Sequence, residues 1–202
     1  MIEEQHTRAG RLRLIARLDV ATHAAGLLHS KEEVLERERV RLEGHAKRAS
    51  AEWASACDVA ASELVRARML GASGELARLR GCGTATITPD WQEAMGIVYP
   101  GGVECESGER PAVTTTAALR PATDAYRAAL VTAGQHAAAS AAVERLDAEL
   151  AATRRRRRAI EDRLQPALAS ALHELDLHLD EADRDEALRV RMAVRQREVA
   201  RT

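Results

Sequence analysis

The sequence predicts an all-α protein, a long antiparallel two-helix coiled coil with a small β-hairpin insertion in the middle of the chain. Three observations carry that expectation. The 202 residues are 46% hydrophobic but only 2% aromatic, with no Phe, so apolar content comes mostly from Ala, Leu and Val rather than from the rings that fill most globular cores. Charged residues make up 30%, and Ala, Glu, Leu and Arg dominate, the composition of long helices. Apolar residues recur at alternating steps of four and three over much of the chain, which is the seam of a coiled coil.

The first segment, residues 1–75, is expected to be one long helix. The 4-3 walk starts at Leu14, Leu18, Ala21, Ala25 and Leu28, passes Leu35, Leu42, Ala49, Trp53 and Ala60, and ends at Ala67 and Leu70. Only Glu32, Arg39 and Glu63 interrupt it with polar side chains, and no proline falls within it. Thr7 is placed to cap its start and Gly71 to stop it. Residues 116–202 form the second helical segment, opening near Pro121 or slightly earlier. Its apolar positions include Tyr126, Leu130, Ala137, Val143, Leu146, Leu150, Ile160, Leu164, Leu168, Leu175, Leu179, Leu188 and Met192, a less regular stripe, with a bend expected at Pro166. Neither helix can hide its stripe alone, and the short chain between them favours an antiparallel pair, a rod about 100 Å long at about 1.5 Å per residue.

Between them, residues 76–115 include "GCGTATITPDWQEAMGIVYPGGVECESGERPAVTT", β-branched and punctuated by Gly and Pro. Short strands are expected around Ala85 to Thr88 and Val103 to Glu106, joined by an irregular or briefly helical stretch. Trp91 and Tyr99 fall in that stretch, either facing a partner or capping the hairpin against the helices.

Charge and motifs exclude several functions. Net charge is -1, so nucleic-acid binding would need local segregation of charge. Three widely spaced cysteines, Cys57, Cys82 and Cys105, form no CxxC pair, and the acidic N-terminus does not match a signal peptide, which leads to a cytoplasmic expectation. No phosphate loop or HExxH motif is present, and His173 and His178 are five apart rather than four, so no catalytic, cofactor or metal site is expected.

The charges are nonetheless segregated. An antiparallel pair shares one tip between its termini, where Arg8, Arg11, Arg13 and Arg17 would meet Arg189, Arg191, Arg195 and Arg197 above an acidic band from Glu174 to Glu186. Such a tip suits exchangeable contacts with acidic protein loops. Arg154 to Arg158 step about 100° apart and therefore circle their helix, unlike a nucleic-acid-reading face, and at least one must point at or beside the partner helix.

Three stretches resemble one family, the D subunits of the V-type and archaeal-type rotary ATPases. "TRAGRLRLIARLDVATHAAGLLHSK" carries the Thr-Arg opening and the basic, Leu-rich helix; "AMGIVYP" carries Met95, Gly96, Ile97 and Pro100; and Thr153, Arg154, Arg155, Glu161, Pro166, then Leu179, Asp180, Glu181, Arg184, Asp185 and Glu186 carry the C-terminal pattern. Departures include Glu32 for a usual Arg and Arg157 and Arg158 for Val and Asn. The resemblance implies a non-catalytic rotor shaft whose paired termini enter the hexamer of A and B subunits. It also implies that the mid-region carries the F subunit of the stalk and that the other end docks on the funnel-shaped subunit above the membrane ring. Residues expected at the hexamer are Arg8, Arg11, Arg13, Arg17, Arg189, Arg191, Arg195 and Arg197. Those expected at stalk subunits are Trp91, Met95, Gly96, Ile97, Tyr99, Pro100, Arg155 and Arg156. The alternative is a free coiled-coil adaptor using its basic tip on acidic proteins or nucleic acid.

Overall fold

A computed structural model of the chain describes residues 7–78, 84–106 and 117–199. Over these residues the helical class and the central hairpin hold. The order is α1 (Arg8–Met69), a short α2 (Ser73–Arg78), β1 (Thr86–Ala94), β2 (Ile97–Glu106) and α3 (Leu119–Ala159). A π-helical turn (Ile160–Leu164) then leads directly into α4 (Gln165–Val199).

The ends of α1 form as the sequence signals. Thr7 Oγ1 accepts the Gly10 backbone N–H at 3.1 Å, satisfying one of the donors that a helix start leaves without an internal partner. At the other end Gly71 has φ 87, its N–H donates to the Arg68 carbonyl, and the Ala72 N–H reaches back to Ala67. That pair of bonds is a Schellman stop, completed by Ala67 packing on Ala72.

Two compact units divide the chain, Met1–Glu32 with Ala152–Thr202, and Glu33–Ala151. In the first, Leu14 and Ala21 of α1 pack on Leu168 and Leu175 of α4, flanked by Leu18, Leu172 and Leu179. Arg8 pairs with Asp183, Arg11 with Asp176 and Glu32 with Arg157, so the helices run antiparallel. In the second, Leu42 packs with Ala142, Leu146 and Tyr99, while Ala67 and Ala72 pack with Leu119 and Ala122. Here too the pairing is antiparallel, since Arg39 bonds Asp147 and Trp53 stacks on His136 with ring centroids 5.3 Å apart.

The α1 seam is the one the sequence shows: apart from Gly10, every buried residue of α1 lies on the 4-3 walk, Glu32 included. The second seam needs correction at both ends. Tyr126, Leu130 and Ala137 are exposed, and Ala122, Ala129, Gly134, Ala138, Ala139 and Ala142 are buried instead. Where nearly every residue is Ala, close helix approach selects the smallest side chains and the larger ones move to the flank. Leu188 and Met192 are exposed as well, because α4 continues past the last pair with α1, at Asp183, for about four turns.

Pro166 does not end the helix. Its missing N–H and its ring would disrupt a regular turn, and the turn before it is π-helical instead, with the Gln165 N–H donating to the Ile160 carbonyl.

From Thr86 to Glu106 the chain is a β-hairpin. β1 and β2 pair antiparallel from Thr86↔Glu106 to Ala94↔Ile97, and the expected irregular stretch is continuous strand with a two-residue turn. Met95 (φ 52) and Gly96 (φ 79) both adopt positive φ, the type I′ geometry that matches the twist of a hairpin. A register shift between Asp90 and Trp91 leaves Gly101 as the extra residue of a bulge beside Pro100, which is where a strand tolerates proline.

Candidate functional site

No described residues form a metal-binding group, and no described helix is long and apolar enough to cross a membrane. What the described chain offers is surface, of three kinds.

The first is the hairpin. Tyr99 is its anchor, 3% exposed among Leu42, Ala142 and Leu146. Its hydroxyl donates to Glu38 Oε1 at 2.8 Å, and Arg41 grips the same carboxylate through both oxygens at 2.9 and 2.6 Å. Arg41 holds the Glu38 carboxyl below its ordinary range, and burial, aided by Glu38, raises the Tyr99 phenol. Pro100 is buried beside Tyr99 and Ile97 is half-buried, so these residues fix the hairpin from within. Val103 lies against Gly134 of α3, where an added Cβ would meet its Cγ2 at 3.0 Å.

Turned outward are Trp91, Met95 and Val98, each about half exposed. Arg145 of α3 lies 5.0 Å from the Trp91 ring centre and donates to the Val98 carbonyl at 2.8 Å, so it orients this apolar face without covering it. Arg145 and Val98 were not visible as site residues in sequence. Val98 could have been found from its place next to Met95–Ile97 in the strand, whereas Arg145 had no signal beyond lying off the seam.

The second surface is the continuation of α4. All described side chains from Glu181 to Arg197 are exposed, and among Arg189, Arg191, Arg195 and Arg197 stand Leu188, Val190, Met192 and Val194. The α1 arginines behave differently. Arg8 and Arg11 bond Asp183 and Asp176 at 3.1 and 2.7 Å, so the acidic band is a partner of the basic N-terminus rather than a layer below it. Arg13 and Arg17 are exposed on the same stretch of α1.

The third is an apolar groove of about 500 Å³ where α1, α2 and α3 meet, lined by Leu64, Leu76, Leu119, Ala122, Tyr126 and Leu130. The exposed Tyr126 and Leu130 thus form one wall of it.

The arginine run resolves into unequal members. Arg154, Arg155, Arg156 and Arg158 are exposed. Arg157 is half-buried and faces α1, where its Nε donates to Glu32 Oε1 at 3.1 Å while Nη1 donates to Glu161 at 2.7 Å. Glu32, itself buried, is its first electrostatic partner and raises its pKa. Two of the departures noted from the family pattern, Glu32 and Arg157, are therefore each other's partner. Cys105 is half-buried and free, Cys57 is exposed, and Cys82 lies outside the described residues.

The model of the ATP synthase D-subunit family matches residues 11–195, which takes in both long helices and the hairpin between them. The chain belongs to that family. It is therefore a stalk subunit of a rotary ATPase that associates with other subunits of the complex. No curated protein matches the chain.

Proposed function

We propose that this D subunit is the central rotor shaft of a V/A-type ATP synthase or ATPase. In this reading it couples ATP synthesis or hydrolysis in the A/B hexamer to ion translocation by rotation, and catalyses nothing itself. The observation that carries the reading is the family match across both helices and the hairpin. Three features support a division of labour among partners. The continuation of α4, with Arg189, Arg191, Arg195 and Arg197 spaced among exposed apolar residues, enters the hexamer together with Arg13 and Arg17. Charge attraction combined with shallow apolar contact suits a shaft whose neighbours change as it turns. Trp91, Met95 and the half-buried Ile97 take the F subunit, with Gly96 shaping the turn and Tyr99 and Pro100 holding the face in place. Arg155 and Arg156 supply a further stalk contact. The groove around Leu76 and Tyr126 takes the funnel-shaped subunit, which makes the protein peripheral to the membrane on its cytoplasmic side.

Native mass spectrometry of the chain mixed with the A, B and F subunits, with ATP turnover recorded alongside, tests this. One copy per hexamer with altered turnover is expected. A chain that stays apart as a free dimer would leave the coiled-coil adaptor as the better reading.

A further inference from the structure

The seam between the helices is nearly self-similar. Leu28, Leu35 and Leu42 repeat every seven residues on α1, with alanines at Ala21, Ala25, Ala46 and Ala49. Sliding one helix by a heptad, about 10 Å, therefore puts Leu and Ala against much the same surfaces as before. Burial of these Leu and Ala side chains alone does not choose one register.

Two polar interruptions of the seam behave differently from their surroundings. Glu32 bonds Arg157 across the helices, and one heptad further along α1 Arg39 bonds Asp147. The polarity is reversed between the two pairs, acid on α1 in one and base on α1 in the other. Each arginine is also held in place on its own helix, Arg157 by Glu161 at 2.7 Å and Arg39 by Glu36 at 3.3 Å. We infer that these two oppositely polarised pairs, Glu32–Arg157 and Arg39–Asp147, are a register lock that excludes displacement of the helices by one heptad in either direction.

The consequence of each slip follows from the sequence. Shifted one way, Arg157 exchanges Glu32 for Arg39 and Asp147 exchanges Arg39 for Ala46. Shifted the other way, Asp147 exchanges Arg39 for Glu32 and Arg157 exchanges Glu32 for Ala25. Either slip sets like charges against each other and breaks the second pair, leaving one of its charges beside alanine. Two pairs of the same polarity would lack the first penalty. Cross-helix ion pairs of this kind add little net stability over apolar replacements, and setting register is their best-attested use. The lock goes beyond the shaft reading and stands or falls independently of it.

The test uses the full chain with its cysteines replaced by serine and nitroxide labels at the exposed positions Leu27 and Asp180. In the parent chain a single distance is expected. In E32L/R39L/D147L/R157L the melting temperature should match or exceed the parent's, while the distance distribution splits, with a population shifted by up to about 10 Å. A single, unshifted distance in that variant overturns the lock. Reversal of the α3 charges alone, R157E/D147R, should abolish the parental distance as sole population. Adding E32R/R39E restores both pairs and should return it. A mixed distribution in this fourfold variant overturns the proposal, and so does an unshifted one in R157E/D147R, whatever the apolar variant does.

Discussion

The Tyr99 hydroxyl donates to Glu38 at 2.8 Å, and through that bond the hairpin is tied to a helix 61 positions earlier in the chain. Tyr99→Phe keeps the buried ring and removes the donor, while Arg41 continues to satisfy the carboxylate. The expected cost is about 1.5 kcal/mol, the low end for a bond to a charged group, because the Glu38 carboxylate is partly open to water. Chemical denaturation of the two chains side by side measures it.

The cluster of Tyr99, Glu38 and Arg41 sets a pH window. Glu38 sits below its ordinary 4.5 because of Arg41, so its contribution is complete above about pH 4.5 and is lost as pH falls through the folded value. Tyr99 sits above its ordinary 10.0 because of burial, so its contribution is complete below about pH 10 and is lost as pH rises through the folded value. Trp91 fluorescence in a Trp53→Phe background should be flat between these limits and change at both ends. A transition near neutrality would refute the assignment.

Met95 holds φ 52 where Asn is the favoured residue ahead of Gly in a type I′ turn. Met95→Asn should stabilise the hairpin by about 0.5–1 kcal/mol, since positive φ is unfavourable for Met. If the exposed Met95 side chain contacts the F subunit, the same change weakens binding of that partner in a calorimetric titration. Stability and affinity then move in opposite directions.

Gly134 lies where α3 packs closely on the hairpin, an added Cβ there being 3.0 Å from Val103. Gly134→Ala should be close to neutral, its better helix propensity offsetting the crowding. Gly134→Leu should cost about 1–3 kcal/mol by forcing the strands outward. Proteolysis of the hairpin at graded protease concentrations distinguishes the two.

Thr153 is fully buried, and its hydroxyl has no hydrogen-bond partner among the described residues. Thr153→Val keeps the branched shape and removes the unpaired group. A gain of about 1 kcal/mol is expected from thermal unfolding.

Much of this fold was legible because its signals are local. Thr7 and Gly71 bracket α1 by their own chemistry, and the 4-3 walk from Leu14 depends on Leu standing out from charged neighbours. In α3 that contrast disappears: in "AALVTAGQHAAASAAV" nearly any phase is apolar, and Tyr126 and Leu130 drew the seam toward themselves although helix contact selected Ala129 and Ala142. The hairpin was recognisable at its ends, where Thr, Ile and Val cluster. Its middle was obscured because Trp91, Gln92 and Glu93 alternate poorly and Met-Gly is a weak turn signal. Arg157 was legible only as one of five arginines. Which of them turns inward is decided by Glu32, distant in sequence. Arg145 takes its place over Trp91 only once the hairpin is folded back on α3.

The π turn at Ile160–Leu164 changes what length means in this chain. Before it, the stripe facing α1 runs through Leu146, Leu150, Thr153, Arg157 and Ile160, and 4-3 steps from there would arrive at Ala167 and Glu174, both exposed. The buried stripe instead resumes one position later, at Leu168 and Leu175. The turn therefore stores a single surplus residue, the protein equivalent of a one-codon insertion that never became a loop. A coiled coil ordinarily polices spacing to the residue, since an extra one rotates everything downstream by about 100°. Here one widened turn ahead of Pro166 absorbs the error, and the rest of α4 keeps its phase.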